Sequence, residues 1–382
     1  MLQATNLSKM LKESAYKSGK TKQIFLRNLL DFMKRILERG GLGDSTYLSE
    51  VFFRTRYDPS MKDTRREVEM VGVWFSRHAS GKNGISLKRT SSPYNLVGMG
   101  CSAGLLAIGL ANQLLQVHHN SYALIVSTET ITENFYYGKD RSKFLTNCLF
   151  RVGGAAILLS NRTSDHNNSK YQLLHAIHTN TSSSDRSYNC IFREEDTAGK
   201  LGITVTKDLL AAAIATIKPN ITALGSIILP TNEKFRYLIT SIARKLLPAL
   251  NIQLYVPDYS NAVDHFLPHV GGKMVLDELQ KSLGFSDDVM EASRMTLYRY
   301  GNTSSSSIWY ELAYVEAKGR VRKRHRVWQI SFGSGFKCNS VIWLAMKTVD
   351  QDGYNPWTDE IFEFPVTLEN CEPVPLYFVP SK

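Results

Sequence analysis

The sequence predicts a layered α/β fold built from two similar halves, and three observations carry that prediction. Short apolar runs such as YALIVS at 122–127 and GGAAILLS at 153–160 have the unbroken hydrophobicity of strands covered on both faces. Stretches of helical spacing alternate with them, as in layered α/β chains. The same alternation starts again in the second half, so the chain divides into 1–45, a basic amphipathic segment, and two halves, 46–217 and 218–382.

Taken in order, the basic segment places Phe25, Leu26, Leu29, Leu30, Phe32, Met33 and Ile36 on one helical face among lysines and arginines. That face either lies on an anionic membrane surface or packs on the main domain. SGKT at 18–21 imitates the end of a phosphate-binding loop, but position 14 is serine and no strand precedes it. Gly40, Gly41 and Gly43 end the helix, and another begins at 63–70. Residues 71–93, polar, basic and interrupted by glycine, show no period and read as loop.

A short strand at 95–97 then runs through Gly98 and Gly100 to Cys101, where a helix begins: Ala103, Leu106, Ala107, Leu110, Leu114 and Val117 recur at helical spacing. The strands at 122–127 and 153–160 follow, then a strand starting at 173–177 and a helix at 207–217. In the second half the pattern predicts helices at 233–247, 272–283 and 305–318. It predicts strands at 253–256, 295–297 and 327–332.

With 382 residues, 43% hydrophobic and 21% charged, the chain is long enough for two domain-sized halves and excludes a disordered class. A net charge of +11 suits an anionic partner, which the sign alone leaves open among nucleic acid, an anionic membrane and a phosphate-bearing molecule. Cysteines at 101, 148, 190, 338 and 371 form no CxxC pair and no zinc-like spacing with histidine, which predicts free thiols in a reducing compartment and no metal. No apolar stretch reaches the roughly 18–20 residues of a bilayer span, so the chain as written reads as soluble or peripheral. The Asn161 and Asn220 sequons read as chance matches.

Cys101 is either a small buried core residue or a nucleophile. At a helix start it meets unpaired N–H groups and the positive end of the dipole, which favour thiolate. A nucleophile needs a base or hydrogen-bond partner and an oxyanion site. His269 in FLPHVGG is a candidate, with Gly271 and Gly272 allowing close approach of a ligand; His265 is its rival. Asn302 in YGNTSSSS is another, or else a helix cap. SFGSGF at 331–336 either presents backbone N–H groups or is a plain turn, and the basic run 320–326 is a solvated turn or a phosphate contact.

These residues carry a resemblance. YNLVGMGCSAG, NSYALIVSTETIT, DRSKFLTNCLFRVGGAAILLSNR, SRMTLYRYGNTSSSSIWYELAYVEAKGR and VWQISFGSGFKCNS resemble, in this order, the plant 3-ketoacyl-CoA synthases of the thiolase-like superfamily. LERGGLGDSTYL resembles the family's region just after its membrane anchor. The resemblance implies a thiolase-like fold of two α/β halves in an αβαβα arrangement, and a homodimer. It implies decarboxylative condensation of long-chain acyl-CoA with malonyl-CoA to 3-oxoacyl-CoA, CoA and carbon dioxide, with no cofactor. Cys101 would take the acyl group, while His269 and Asn302 would bind the malonyl thioester and stabilise its enolate. Gly271 and Gly272 would border the substrate, and the Cys101 N–H with one from Gly333, Ser334 or Gly335 would form the oxyanion hole. Elongase partners, peripheral membrane contact and the cytosolic face of the endoplasmic reticulum membrane follow from the family, as does the absence of nucleic acid.

Departures are also visible. The family's N-terminal membrane spans have no counterpart, and Leu267 and Tyr298 stand where many members have cysteine and histidine. Between the helix near Arg65 and Tyr94, the family has a strand and a helix that residues 71–93 are too few to hold. The first half is therefore expected to lack a strand and a helix. The alternative to an active synthase is a catalytically inactive truncated paralogue, or a defective gene model, acting at most as an elongase-associated protein.

Overall fold

The computed structural model describes residues 91–349 and 355–367, with shorter pieces at 2–3, 33, 36–37, 40–43, 46–48 and 61–69. Most of the 71–93 tract and of the 25–36 apolar face lies outside the described residues. Met33 and Ile36 are described, and both are buried with Ile131, Phe144 and Cys148. At these positions the basic segment packs on the main domain.

Strand β1 (Leu2–Gln3) pairs with β2 (Tyr47–Leu48), and a helix α1 covers 61–69. A 3-10 turn, Gly100–Ser102, opens α2 (Ala103–Val117), followed by β3 (Tyr122–Thr128), α3 (Phe144–Leu149), β4 (Gly154–Ser160) and β5 (Tyr171–Asn180). Next come α4 (Asp185–Tyr188), a hairpin of β6 (Ile191–Glu195) and β7 (Leu201–Val205), α5 (Leu209–Ile228) and α6 (Thr231–Leu246). The second half continues with β8 (His265–Pro268), α7 (Lys273–Leu283), α8 (Asp287–Tyr300), α9 (Ser307–Ala317), β9 (Arg326–Gly333) and β10 (Lys337–Ala345).

Among the described residues, a four-stranded sheet runs β5-β10-β9-β8, antiparallel except for the parallel β8/β9 pair. Strands β8, β9 and β10 alternate between two cores, and β5 does so with a bulge at Leu174, where its register against β10 shifts. Val327, Val341 and Trp343 point with Leu105 and Ile108 of α2 and Ile308 and Val315 of α9 into one core. Trp328, Ile330, Phe332 and Ile342 point into another, with Ala213 and Leu224 of α5 and Leu276 of α7. Burial of both faces explains why apolar side chains occur at both parities along β9 and β10, while the buried Gln329 and Ser340 are hydrogen-bonded within the core. Helix α2 also packs against β3, so it lies between the four-stranded sheet and the β3–β4 pair.

Several expectations are corrected. Residues 95–97 form no strand; Tyr94 and Val97 are exposed, and among the described residues no neighbouring strand takes up their backbone. Residues 295–297 are helical, because Ser286, Asp287 and Asp288 open a helix whose Met290, Ser293, Leu297 and Tyr300 recur on one buried face. Residues 253–256 are loop: the Thr240 hydroxyl accepts the Tyr255 N–H and the Glu233 carboxylate accepts the Asp258 N–H, in place of strand partners. The 217/218 division cuts α5 in the middle, and β5, from the first half, pairs with β10 of the second. By length and apolarity Gly100–Val117 and Leu209–Ile228 do reach what a bilayer span requires. Both are packed on sheets.

The β3–β4 pair departs most from expectation. Ile125, Ile157 and Leu159 face the core, but Tyr122, Val126 and Leu158 on the other face are exposed. Strands of this composition are expected to be covered on both sides. Among the described residues the first half holds the β3–β4 pair, the β6–β7 hairpin, β2 and β5, and the tract where a strand and a helix are expected to be missing lies mostly outside the described residues. The sequon asparagines serve the fold. Asn220 is buried and donates to the carbonyls of Ile177 and Cys338, while Asn161 donates to those of Leu115 and His118.

Candidate active site

Cys101 sits where two backbone turns meet. Gly98 and Gly100 adopt φ of 73° and 56°, values that favour glycine, and bring the chain into the 3-10 turn ahead of α2. The Ser102 hydroxyl donates to the Met99 carbonyl at 2.6 Å. The Ser102 carbonyl accepts from Asn339 Nδ2 at 2.9 Å, so the turn is tied to β10. Opposite lies the turn after β9. A Cβ on Gly333 would fall 2.9 Å from the Cys101 nitrogen and 2.8 Å from that of Ser102. Ser334 packs on Gly100, whereas Gly335 faces Lys337.

The second-half residues reach this point through a continuous chain of contacts. Ser304 Oγ donates to Cys101 Sγ at 3.3 Å, and the Ser304 N–H donates to Asn302 Oδ1 at 2.8 Å. Asn302 Nδ2 donates to the Gly271 carbonyl at 3.4 Å, and the Gly271 N–H donates to the His269 carbonyl at 2.8 Å. Fixing Oδ1 on a backbone N–H turns the amide so that its Nδ2 hydrogens point the other way. Cys101, His269, Asn302, Gly271, Gly333 and Ser334 are thus brought together. Gly272 instead starts α7, its carbonyl accepting from the Val275 and Leu276 N–H groups.

His269 lies just past the end of β8, held by its N–H to the Ile330 carbonyl, with its ring edge-on to Phe332 at 5.4 Å. Among the described residues its buried Nδ1 has no hydrogen-bond partner. Burial lowers its pKa to about 3, so the ring is neutral. The rival His265 stands at the start of the same strand, with its Nε2 3.1 Å from Nδ1 of His325. The basic run forms a turn beside it, where Arg320 pairs with Glu291 at 2.8 Å.

The thiolate expectation is overturned. Burial pushes the Cys101 thiol up to about 12, against the opposing Ser304 hydrogen bond, and the nearby Glu129 carboxylate adds to the rise. The helix start does not outweigh desolvation, and the resting group is a thiol.

Two residues here escaped sequence reasoning. Glu129, just after β3, is itself raised by burial and hydrogen-bonds Ser304 and Ser305. Ser304 also has a φ of 58°, a strained value for serine, fixed where Gly104 of α2 packs against the Ser305 carbonyl. A serine in a run of four carries no signal that would single it out. Glu129, an acid three residues past the apolar run YALIV, was a visible one.

Solved structures share the fold. A fungal type III polyketide synthase superposes with a TM-score of 0.63 at 17% identity, covering 89% of this chain and 95% of that one. The type III polyketide synthase domain of Steely1 from Dictyostelium gives 0.61 at 16%, covering 90% of this chain and 95% of that one. Fold and site define a class, the thiolase-like condensing enzymes of the acyltransferase type. The family model for FAE1/Type III polyketide synthase-like proteins matches residues 2–77 and 82–246, and that for the 3-oxoacyl-[acyl-carrier-protein] synthase III C terminal matches 259–344. 3-Ketoacyl-CoA synthase 2 of Arabidopsis thaliana is 46% identical over 387 residues, covering 92% of this chain and 73% of the relative. Probable 3-ketoacyl-CoA synthase 20 of Oryza sativa subsp. japonica is 46% identical over 377, covering 90% and 72%. The chain belongs to the plant 3-ketoacyl-CoA synthase family. An alignment over 387 positions with a chain of 382 residues also means that the relative contains residues this chain lacks.

Proposed function

We propose that the chain condenses a long-chain acyl-CoA with malonyl-CoA, giving 3-oxoacyl-CoA, carbon dioxide and free CoA. The observation that carries the reading is the contact chain from Cys101 through Ser304, Asn302 and Gly271 to a neutral, buried His269. In the first step Cys101 Sγ attacks the acyl-CoA carbonyl. Its proton passes to the neutral His269 ring and then to the departing CoA thiolate, so that CoA leaves as the thiol. Charge on the tetrahedral oxygen falls to the Cys101 N–H and a neighbouring N–H of the 333–335 turn.

Malonyl-CoA then loses carbon dioxide. The electron pair left behind is delocalised onto its thioester oxygen, which accepts from the His269 ring N–H and Asn302 Nδ2; neither group must ionise. The enolate carbon attacks the acyl-Cys101 thioester, and the sulfur leaves as thiolate and takes up a proton from solvent, the one proton that the overall reaction consumes. No cofactor takes part in this reading.

Membrane residence at the endoplasmic reticulum, a homodimer and elongase partners belong to the same proposal, with family membership as their support. Incubation of the pure chain with long-chain acyl-CoA and labelled malonyl-CoA tests the reaction. Labelled 3-oxoacyl-CoA that disappears in Cys101→Ala supports it; no Cys101-dependent product overturns it.

A further inference from the structure

Helix α6 presents its faces in the inverse of the usual order. Its inward side is polar: Glu233 is 4% exposed and accepts from the Tyr255 hydroxyl and the Asp258 N–H, while Thr240 accepts from the Tyr255 N–H. Its outward side is apolar. Phe235, Leu238, Ile239, Ile242 and Leu246 are 49–72% exposed, and at helical spacing they fall within an arc of about 100°. Leu247 and Leu250 extend the exposed surface.

Cations border this stripe. Lys234 and Lys245 lie along one edge and Arg236 along the other, with exposed Arg244 behind, and Glu233, the sole acid in 231–250, is turned inward. A twofold contact between two copies would place these like charges together. An anionic bilayer surface complements them. Behind the stripe, an apolar cavity of about 530 Å³ lies between α5, α6 and α7, lined by Ile217, Ile221, Leu238, Val275 and Leu279 among others. Leu238 belongs to both cavity wall and stripe, so a lipid chain beside it meets apolar surface rather than water.

We infer that α6 is a membrane-docking helix, lying in the plane of an anionic bilayer with its apolar stripe among the acyl chains and its flanking lysines and arginines at the phosphates. A long apolar stripe, a cationic border and low overall hydrophobicity are what an interfacial helix requires. The surface stands apart from the condensing chemistry, since vesicle binding is read without turnover.

Flotation of the full chain with vesicles of phosphatidylcholine alone, or containing phosphatidylserine, tests the inference. Because the basic 1–45 segment can itself bind vesicles, variants of α6 are compared within the full chain. Binding to the phosphatidylserine vesicles is expected to fall at least about tenfold in Phe235→Ser/Ile239→Ser/Leu246→Ser. Arg236→Gln/Lys245→Gln is expected to lose about fivefold per cation. The indole fluorescence introduced by Phe235→Trp is expected to be quenched by brominated acyl chains, which decides the matter should the triple variant fail to fold. Equal flotation of a folded triple variant overturns the inference. So does a Phe235→Trp variant that binds vesicles without such quenching, or a triple variant that only converts a dimer to a monomer.

Discussion

Replacing Gly333 with alanine tests the meeting of the two turns. Gly333 does not have a positive φ, so the backbone tolerates alanine and any effect comes from contact alone. The new methyl would lie 2.8 Å from the Ser102 nitrogen, 2.9 Å from that of Cys101 and 3.2 Å from the Met99 carbonyl oxygen. All three are backbone atoms with no rotamer in which to escape, and ordinary contact begins near 3.4 Å, so the turns must part by roughly half an ångström. Overpacking of this kind costs about 1–3 kcal/mol of stability. The catalytic loss is expected to be larger, on the order of 100-fold, because the displaced N–H groups are those proposed to hold the oxyanion. Mass spectrometry of acyl-Cys101 formation at timed intervals, beside a melting curve, measures both. A variant that acylates at the wild-type rate would refute the placement of the 333–335 turn against Cys101.

Three further outcomes follow from the same geometry. His269 has its folded pKa lowered to about 3 from an ordinary value near 6.5, so the unfolded chain takes up a proton first; stability is full above about 6.5 and falls as pH drops towards 3. Denaturant unfolding should therefore show a shallower acid slope in His269→Gln, by up to about 1.4 kcal/mol per pH unit, and an unchanged slope would contradict a buried neutral ring. Ser304→Ala removes the hydrogen bond to Cys101 Sγ and should slow its alkylation at alkaline pH about tenfold or more. Alkylation of Ser304→Ala at the wild-type rate would dismiss that bond. Val126→Thr with Leu158→Thr, on the exposed face of β3–β4, should reduce binding of a hydrophobic dye while shifting stability by no more than about 0.5 kcal/mol; unchanged dye binding would mean that the face is covered.

The sequence by itself determined the family and the local chemistry. Cys101, His269 and Asn302 lie in blocks whose glycines and apolar periods are short-range properties, and α2, β3, β4, α7 and β9 were readable from them. Pairing decided what remained. Residues 95–97 have strand composition but no neighbouring strand among the described residues, and the N–H groups of Tyr255 and Asp258 go to side chains of α6, so neither 95–97 nor 253–256 becomes a strand. Strand β5 leaves the half that encodes it because its partner, β10, is distant in sequence. The same holds for charge: a cysteine at a helix start reads as a thiolate, but desolvation depends on everything packed around it, and here it reverses the sign. Only the tertiary structure shows that Glu129 and Ser304 stand beside the sulfur, and that the apolar side of α6 faces outward. Periodicity reveals that a helix has two faces; which one is buried depends on what the rest of the chain brings against it.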